Sequence, residues 1–135
     1  MSTPLVEQLK QLKSVLESLK AIDSVPLFEK YGFNYDSITA FDKSNFNIAV
    51  NEVRDKSNQV LLLVANESNF SDFQIESVKE FVSVCRKKML DRDSFADSSE
   101  ILSALREISG ALSPLIIMIG EFKGIIVLSI KKIVL

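Results

Sequence analysis

The segment that most restricts the fold is the C-terminal stretch Ser113–Leu135, SPLIIMIGEFKGIIVLSIKKIVL. It is apolar on nearly every side of a helical wheel, the pattern of a helix enclosed by partners or placed in a bilayer. Glu121 and Lys123 interrupt it, so its longest uncharged run falls short of the roughly 18 residues a spanning helix needs. On the wheel Glu121, Gly124, Lys131 and Lys132 share one side, and Ile119, Phe122, Ile126, Ile130 and Ile133 the other. Ser113 is suited to cap this helix and Pro114 to occupy its first turn, where a missing N–H costs nothing. The expectation is a buried apolar helix starting at Ser113, with Ile119, Phe122, Ile126 and Ile130 at the centre of the core and one edge reaching water.

Such a helix needs amphipathic partners, and the chain supplies them. Leu5, Leu9, Leu12, Leu16 and Leu19 step by four and three residues, the seam of a helix that Thr3 can cap and Pro4 can open. A short helix over Val25–Tyr31 ends at Gly32, with Phe33 placed to fold back over its last turn. Asp36 can cap a turn in the polar-aromatic stretch that follows. Phe46, Val50, Val53, Val60 and Val64, with Ser57 in the gap, predict a helix from about Ser44 to Asn66. Ser71 and Gln74 make a capping-box pair, and Phe70 and Ile75 a hydrophobic staple, ahead of a seam of Ile75, Val78, Val82, Cys85 and Met89. Asp97 and Glu100 repeat the capping box before Ile101, Leu105, Ile108 and Leu112.

Four glycines and three prolines are too few for an all-β protein with many turns. The reading is all-α: a single domain over residues 1–135, a compact antiparallel bundle of five to six helices with a buried apolar C-terminal helix. The alternative is α+β, with short strands at 59–65, 114–119 and 124–130, because short apolar runs rich in β-branched residues do not declare their period.

The chemistry is sparse. With no histidine the chain offers no Ser-His or Cys-His pair and lacks the commonest metal ligand. Its lone cysteine, Cys85, sits on an apolar seam and reads as a buried structural thiol. One cysteine cannot form an internal disulfide, which points to a reducing compartment. The opening MSTPLVEQLKQLK is too charged for a signal peptide, so the expected location is cytoplasmic. The acidic loop Asp91, Asp93, Asp97, Glu100 fails the EF-hand pattern. Counting from Asp91, Ala96 stands where glycine is required and Leu102 where glutamate is. Glu76 and Glu80 flank Lys79 on a charge-mixed face, not the setting of an acid–base pair. GEFKG lacks the length and the ending of a phosphate-binding loop. Sixteen basic against eighteen acidic residues, a net charge of −2, give no field for nucleic acid. Gly120 and Gly124 form a small-xxx-small pair that lets another helix approach closely. No cofactor, metal or catalytic residue is expected.

The functional expectation is a non-enzymatic interaction module that binds another protein or self-associates. Its candidate docking seam is Leu5, Leu9, Leu12, Leu16 and Leu19, at a chain end and with clean heptad spacing. The alternative is a membrane-active bundle that releases its C-terminal helix at an anionic lipid surface. Arg86, Lys87, Lys88, Lys131 and Lys132 would supply the attraction.

Overall fold

The computed structural model describes residues 4–65 and 72–134, with side chains over 5–65 and 74–119. Among the described residues five α-helices follow one another: α1 (Pro4–Lys20), α2 (Ser24–Lys30), α3 (Ala40–Val64), α4 (Asp72–Cys85) and α5 (Ser98–Val134). A 3-10 turn at Tyr35–Ser37 precedes α3, and a π-helical turn at Arg86–Leu90 closes α4. The described residues contain no strand: 59–64 lies in α3 with Ala65 as its C-cap, and 114–119 and 124–130 lie in α5. The α+β alternative is thereby corrected.

Local chemistry explains most boundaries. Asp23 caps α2 by accepting from the Ser24 N–H, and Thr39 caps α3 by accepting from the Asp42 N–H. α3 therefore starts earlier than Ser44, because the hydroxyl of Thr39 satisfies an orphan donor of the first turn. Gly32 ends α2 at φ 78°, and its N–H reaches the Glu29 carbonyl at 3.1 Å while the Phe33 N–H reaches the Phe28 carbonyl at 2.8 Å. These are the two bonds of a Schellman cap. Asn34, rather than Asp36, holds the 3-10 turn by accepting from the Asp36 N–H. Asp97 accepts from the Glu100 N–H at 3.1 Å, and the Glu100 carboxylate returns to the Ala96 N–H at 2.9 Å, one residue before the position a strict capping box uses. The Ser71–Gln74 box and the Phe70–Ile75 staple involve Phe70 and Ser71, which lie outside the described residues.

The largest departure from expectation is at Pro114, which sits inside α5 and does not start it. A proline in mid-helix removes one backbone hydrogen bond and costs about 3 kcal/mol in isolation. The acceptor it leaves without a ladder donor is the Gly110 carbonyl, four residues back. Packing of α5 against α3 and α4 carries the helix through, and on the adjoining Ser109 carbonyl, which keeps its ladder position, Lys56 Nζ donates at 3.3 Å and Ser113 Oγ at 3.4 Å.

The neighbours of the helices in space are not their neighbours in sequence. α3 packs on α1 and α5, and α4 packs on α1 and α5, while α3 and α4 share no substantial interface. The cyclic order is therefore α1, α3, α5, α4, with residues 66–71 joining diagonal partners. α4 and α5 run antiparallel, since Gln74 donates to the Met118 carbonyl and Lys88 pairs with Glu107.

One apolar core fills the centre. Leu12, Leu16, Leu19, Phe28, Val53, Val60, Val64, Ile101, Leu105, Ile108, Leu112 and Ile119 are all fully buried. Ile119 thus occupies the expected centre; the side chains of Phe122, Ile126 and Ile130 lie outside the described residues. At one end Phe28 is a hub, edge-on to Phe33, Tyr35 and Phe46 at 6.4, 5.1 and 4.7 Å. Such pairs add roughly 0.5–1.5 kcal/mol each beyond the area they bury.

Candidate functional site

The leucine seam of α1 faces inward. Leu9, Leu12, Leu16 and Leu19 are no more than 2 % exposed, and Leu5 is half-buried against the same core. A four–three repeat at a chain end reads equally as a docking face and as a core stripe; here α3 and α4 already cover it. The seam is therefore not open to a partner in the folded chain.

The basic residues divide. Lys88 turns toward α5 and pairs with Glu107 at 3.2 Å. Arg86 and Lys87 turn the other way, into a groove between α1 and α4. Lys131 and Lys132 have side chains outside the described residues. They lie about 36 Å further along α5 than Glu107, at the helical rise of 1.5 Å per residue. A flat membrane meeting one end of the bundle would not touch both basic groups at once.

The remaining sequence candidates resolve simply. Cys85 is fully buried, and desolvation pushes its thiol from its ordinary 9.0 to about 12, so it is held neutral. Asp97 caps α5, and bonds from the Ser99 hydroxyl and the Glu100 N–H hold its carboxyl below the usual range. Among the described residues no group of carboxylates or thiols is placed to hold a metal ion. Glu76 pairs with Lys79 at 3.4 Å on an exposed face. Ser98–Ile119 is the one described segment long and apolar enough to cross a bilayer, yet its inner stripe is core.

Two features were not visible in the sequence. The first is a polar cluster between α3 and α5. Lys56 Nζ donates to the hydroxyls of Ser109 and Ser113 at 2.9 Å each, and Ser109 Oγ donates to Glu52 at 3.3 Å. A lysine beside a serine suggests a nucleophile and its base. Here both serines sit in mid-helix, where backbone N–H groups are engaged along α5 and none is aimed to stabilise an oxyanion. The cluster is structural: it fixes the register of α3 on α5.

The second is an open apolar groove of about 250 Å³ between α4 and α5. Phe81, Val84, Ala111, Leu115 and Met118 line it, Pro114 forms part of its wall, and Glu80 and Ser77 mark the polar rim. Apart from it, Phe41, Ile48 and Leu62 stand out from α3 at 75, 54 and 67 % exposure, separated by multiples of seven residues and so on one line. No signal in the sequence marks the groove, because it arises from the offset between two helices rather than from either alone. Compared with known proteins, the chain matches no family model, no curated protein sequence and no solved structure.

Proposed function

We propose that this protein is a non-enzymatic helical interaction module that binds another protein. The observation supporting this is the α4–α5 groove, a concave apolar surface that the described residues leave uncovered, in contrast to the leucine seam of α1. Phe81 and Leu115 form a rigid floor at 4 and 3 % exposure, and Met118 and Val84 are the half-buried walls that an incoming apolar side chain would meet. A partner helix would lay its apolar stripe along such a groove and meet Glu80 at the rim.

The test compares the parent with Val84→Lys, which places a charge in the groove wall, and with Ile48→Glu on the distant face of α3. Sedimentation velocity across concentration reads self-association, and affinity capture followed by reconstitution with the purified partner reads association with another protein. Loss of either with Val84→Lys alone, at unchanged urea midpoint, supports the reading. Loss with Ile48→Glu and retention with Val84→Lys would move the docking surface to α3.

The second reading, a membrane-active bundle, draws on the apolar sequence of α5 and on Arg86 and Lys87. Flotation with vesicles of neutral and of anionic lipid tests it. Absence of binding to anionic vesicles at both low and moderate salt would remove it.

A further inference from the structure

We infer that the groove between α1 and α4 is a binding site for a phosphate-bearing group. The groove is open to solvent, with a volume of about 370 Å³, within the range of small-molecule sites, and its chemistry is the opposite of the α4–α5 groove. Lys79, Arg86 and Lys87 supply three cations, and Gln8, Gln11 and Ser83 supply neutral donors around them. Asp91 is the one acid in the lining. In a chain of net charge −2 this is a local reversal of sign.

The cations are available. Lys88 is held by Glu107 and Arg92 by Glu100, and Lys79 is shared with Glu76 at 3.4 Å. Arg86 and Lys87 make no ion pair among the described residues and are exposed. The backbone beneath them is unusual in a way that bears on this. Arg86–Leu90 is a π-helical turn, its widened ring closed by the Asp91 N–H on the Arg86 carbonyl at 2.8 Å. π turns are rare and recur at functional sites because they change the direction in which successive side chains leave the helix. Here the turn comes where the basic run divides, two cations to the α1 side and Lys88 to α5. A guanidinium that can grip two oxygens at once, flanked by ammonium groups and amides, is suited to a dianionic phosphate more than to a single carboxylate.

The plainer account is that these cations only offset the negative end of α4. The two accounts differ in what they predict for a ligand. A soluble phosphomonoester and a lipid headgroup present the same phosphate chemistry, and the arms of the experiment separate these. The full chain is titrated with inorganic pyrophosphate and with inositol trisphosphate, followed by amide and arginine side-chain NMR shifts. In parallel it is floated with phosphatidylcholine vesicles with and without a phosphoinositide. The site predicts shifts confined to Gln8, Gln11, Lys79, Ser83, Arg86 and Lys87. It also predicts affinity lowered by at least about tenfold in R86E/K87E and unchanged in K88A. Binding to the soluble phosphates assigns a free ligand; binding to phosphoinositide vesicles alone, lost in R86E/K87E, assigns a headgroup. Shifts spread evenly over Lys10, Lys20 and Lys30, equal loss in K88A, or no binding in any arm would overturn the site. This inference is independent of the α4–α5 groove, whose Val84→Lys variant leaves these residues untouched.

Discussion

Ser57 is fully buried in the seam of α3, and its hydroxyl has no hydrogen-bond partner among the described residues. Its neighbours along the seam are Val53, Val60 and Val64, all at 0 % exposure. A buried hydroxyl without a partner forfeits its bonds to water and costs about 1–3 kcal/mol. Replacing serine by alanine removes that cost and adds a few tenths of a kcal/mol in helix propensity. The void left is that of one oxygen atom, and at about 24 cal/mol per Å³ it subtracts only a few tenths. Ser57→Ala should therefore stabilise the protein by about 1–2 kcal/mol. Ser109→Ala is the matched comparison. Ser109 is equally buried at 4 % but accepts from Lys56 and donates to Glu52. Its removal should destabilise by about 1–2 kcal/mol, since bonds involving charged groups are lost. Urea melts with a shared m-value read both changes. The same substitution at two buried serines is thus expected to give opposite signs. A destabilised Ser57→Ala would mean that its hydroxyl is satisfied in solution and that the reasoning fails.

Leu16→Ala should cost about 2–5 kcal/mol by cavity formation without changing the sedimentation behaviour, whereas a docking leucine would show the reverse. Gly32→Ala should cost about 1 kcal/mol in the same melts: an added Cβ meets no atom within 4 Å, so only the φ of 78° is penalised. The thiol of Cys85 should resist Ellman's reagent at pH 8 until urea unfolds the chain. Its linkage has a definite sign. Between its ordinary 9.0 and about 12 the native thiol keeps a proton that the unfolded thiol releases, so stability falls as pH rises across that window. Equilibrium melts at stepped alkaline pH, compared with Cys85→Ser, isolate the contribution. A parent and variant with the same alkaline slope would refute it.

Much of the architecture was readable in advance, where one local rule acts alone. The α1 stripe, the Gly32 stop with Phe33 behind it, and the Asp97–Glu100 start each depend on residues within one or two turns of each other. Pro114 was misread for the same reason. Ser-Pro is a start signal locally, and α5 runs through it because the helix is packed on α3 and α4, contacts that the local sequence does not show. The leucine seam was located correctly but its partner was not, because periodicity reports that a face is buried and not by what. The two grooves, and the separation of Arg86 and Lys87 from Lys88, depend on the offset of α4 against α1 and α5, which no single segment encodes.

The diagonal link between α3 and α4 bears on how the chain is made. Synthesis proceeds from the N-terminus at about 5–20 residues per second. Once α3 has emerged it can pair with α1, but the next helix, α4, packs on α1 and not on α3. The flank of α3 that α5 will cover stays wet until α5 itself appears, several seconds later at that speed. An up-and-down bundle with consecutive neighbours would close each seam as the next helix arrives. The nascent chain of this protein instead carries an open apolar flank from the completion of α3 until α5 emerges, a window in which a chaperone or a second nascent copy competes with its own C-terminus.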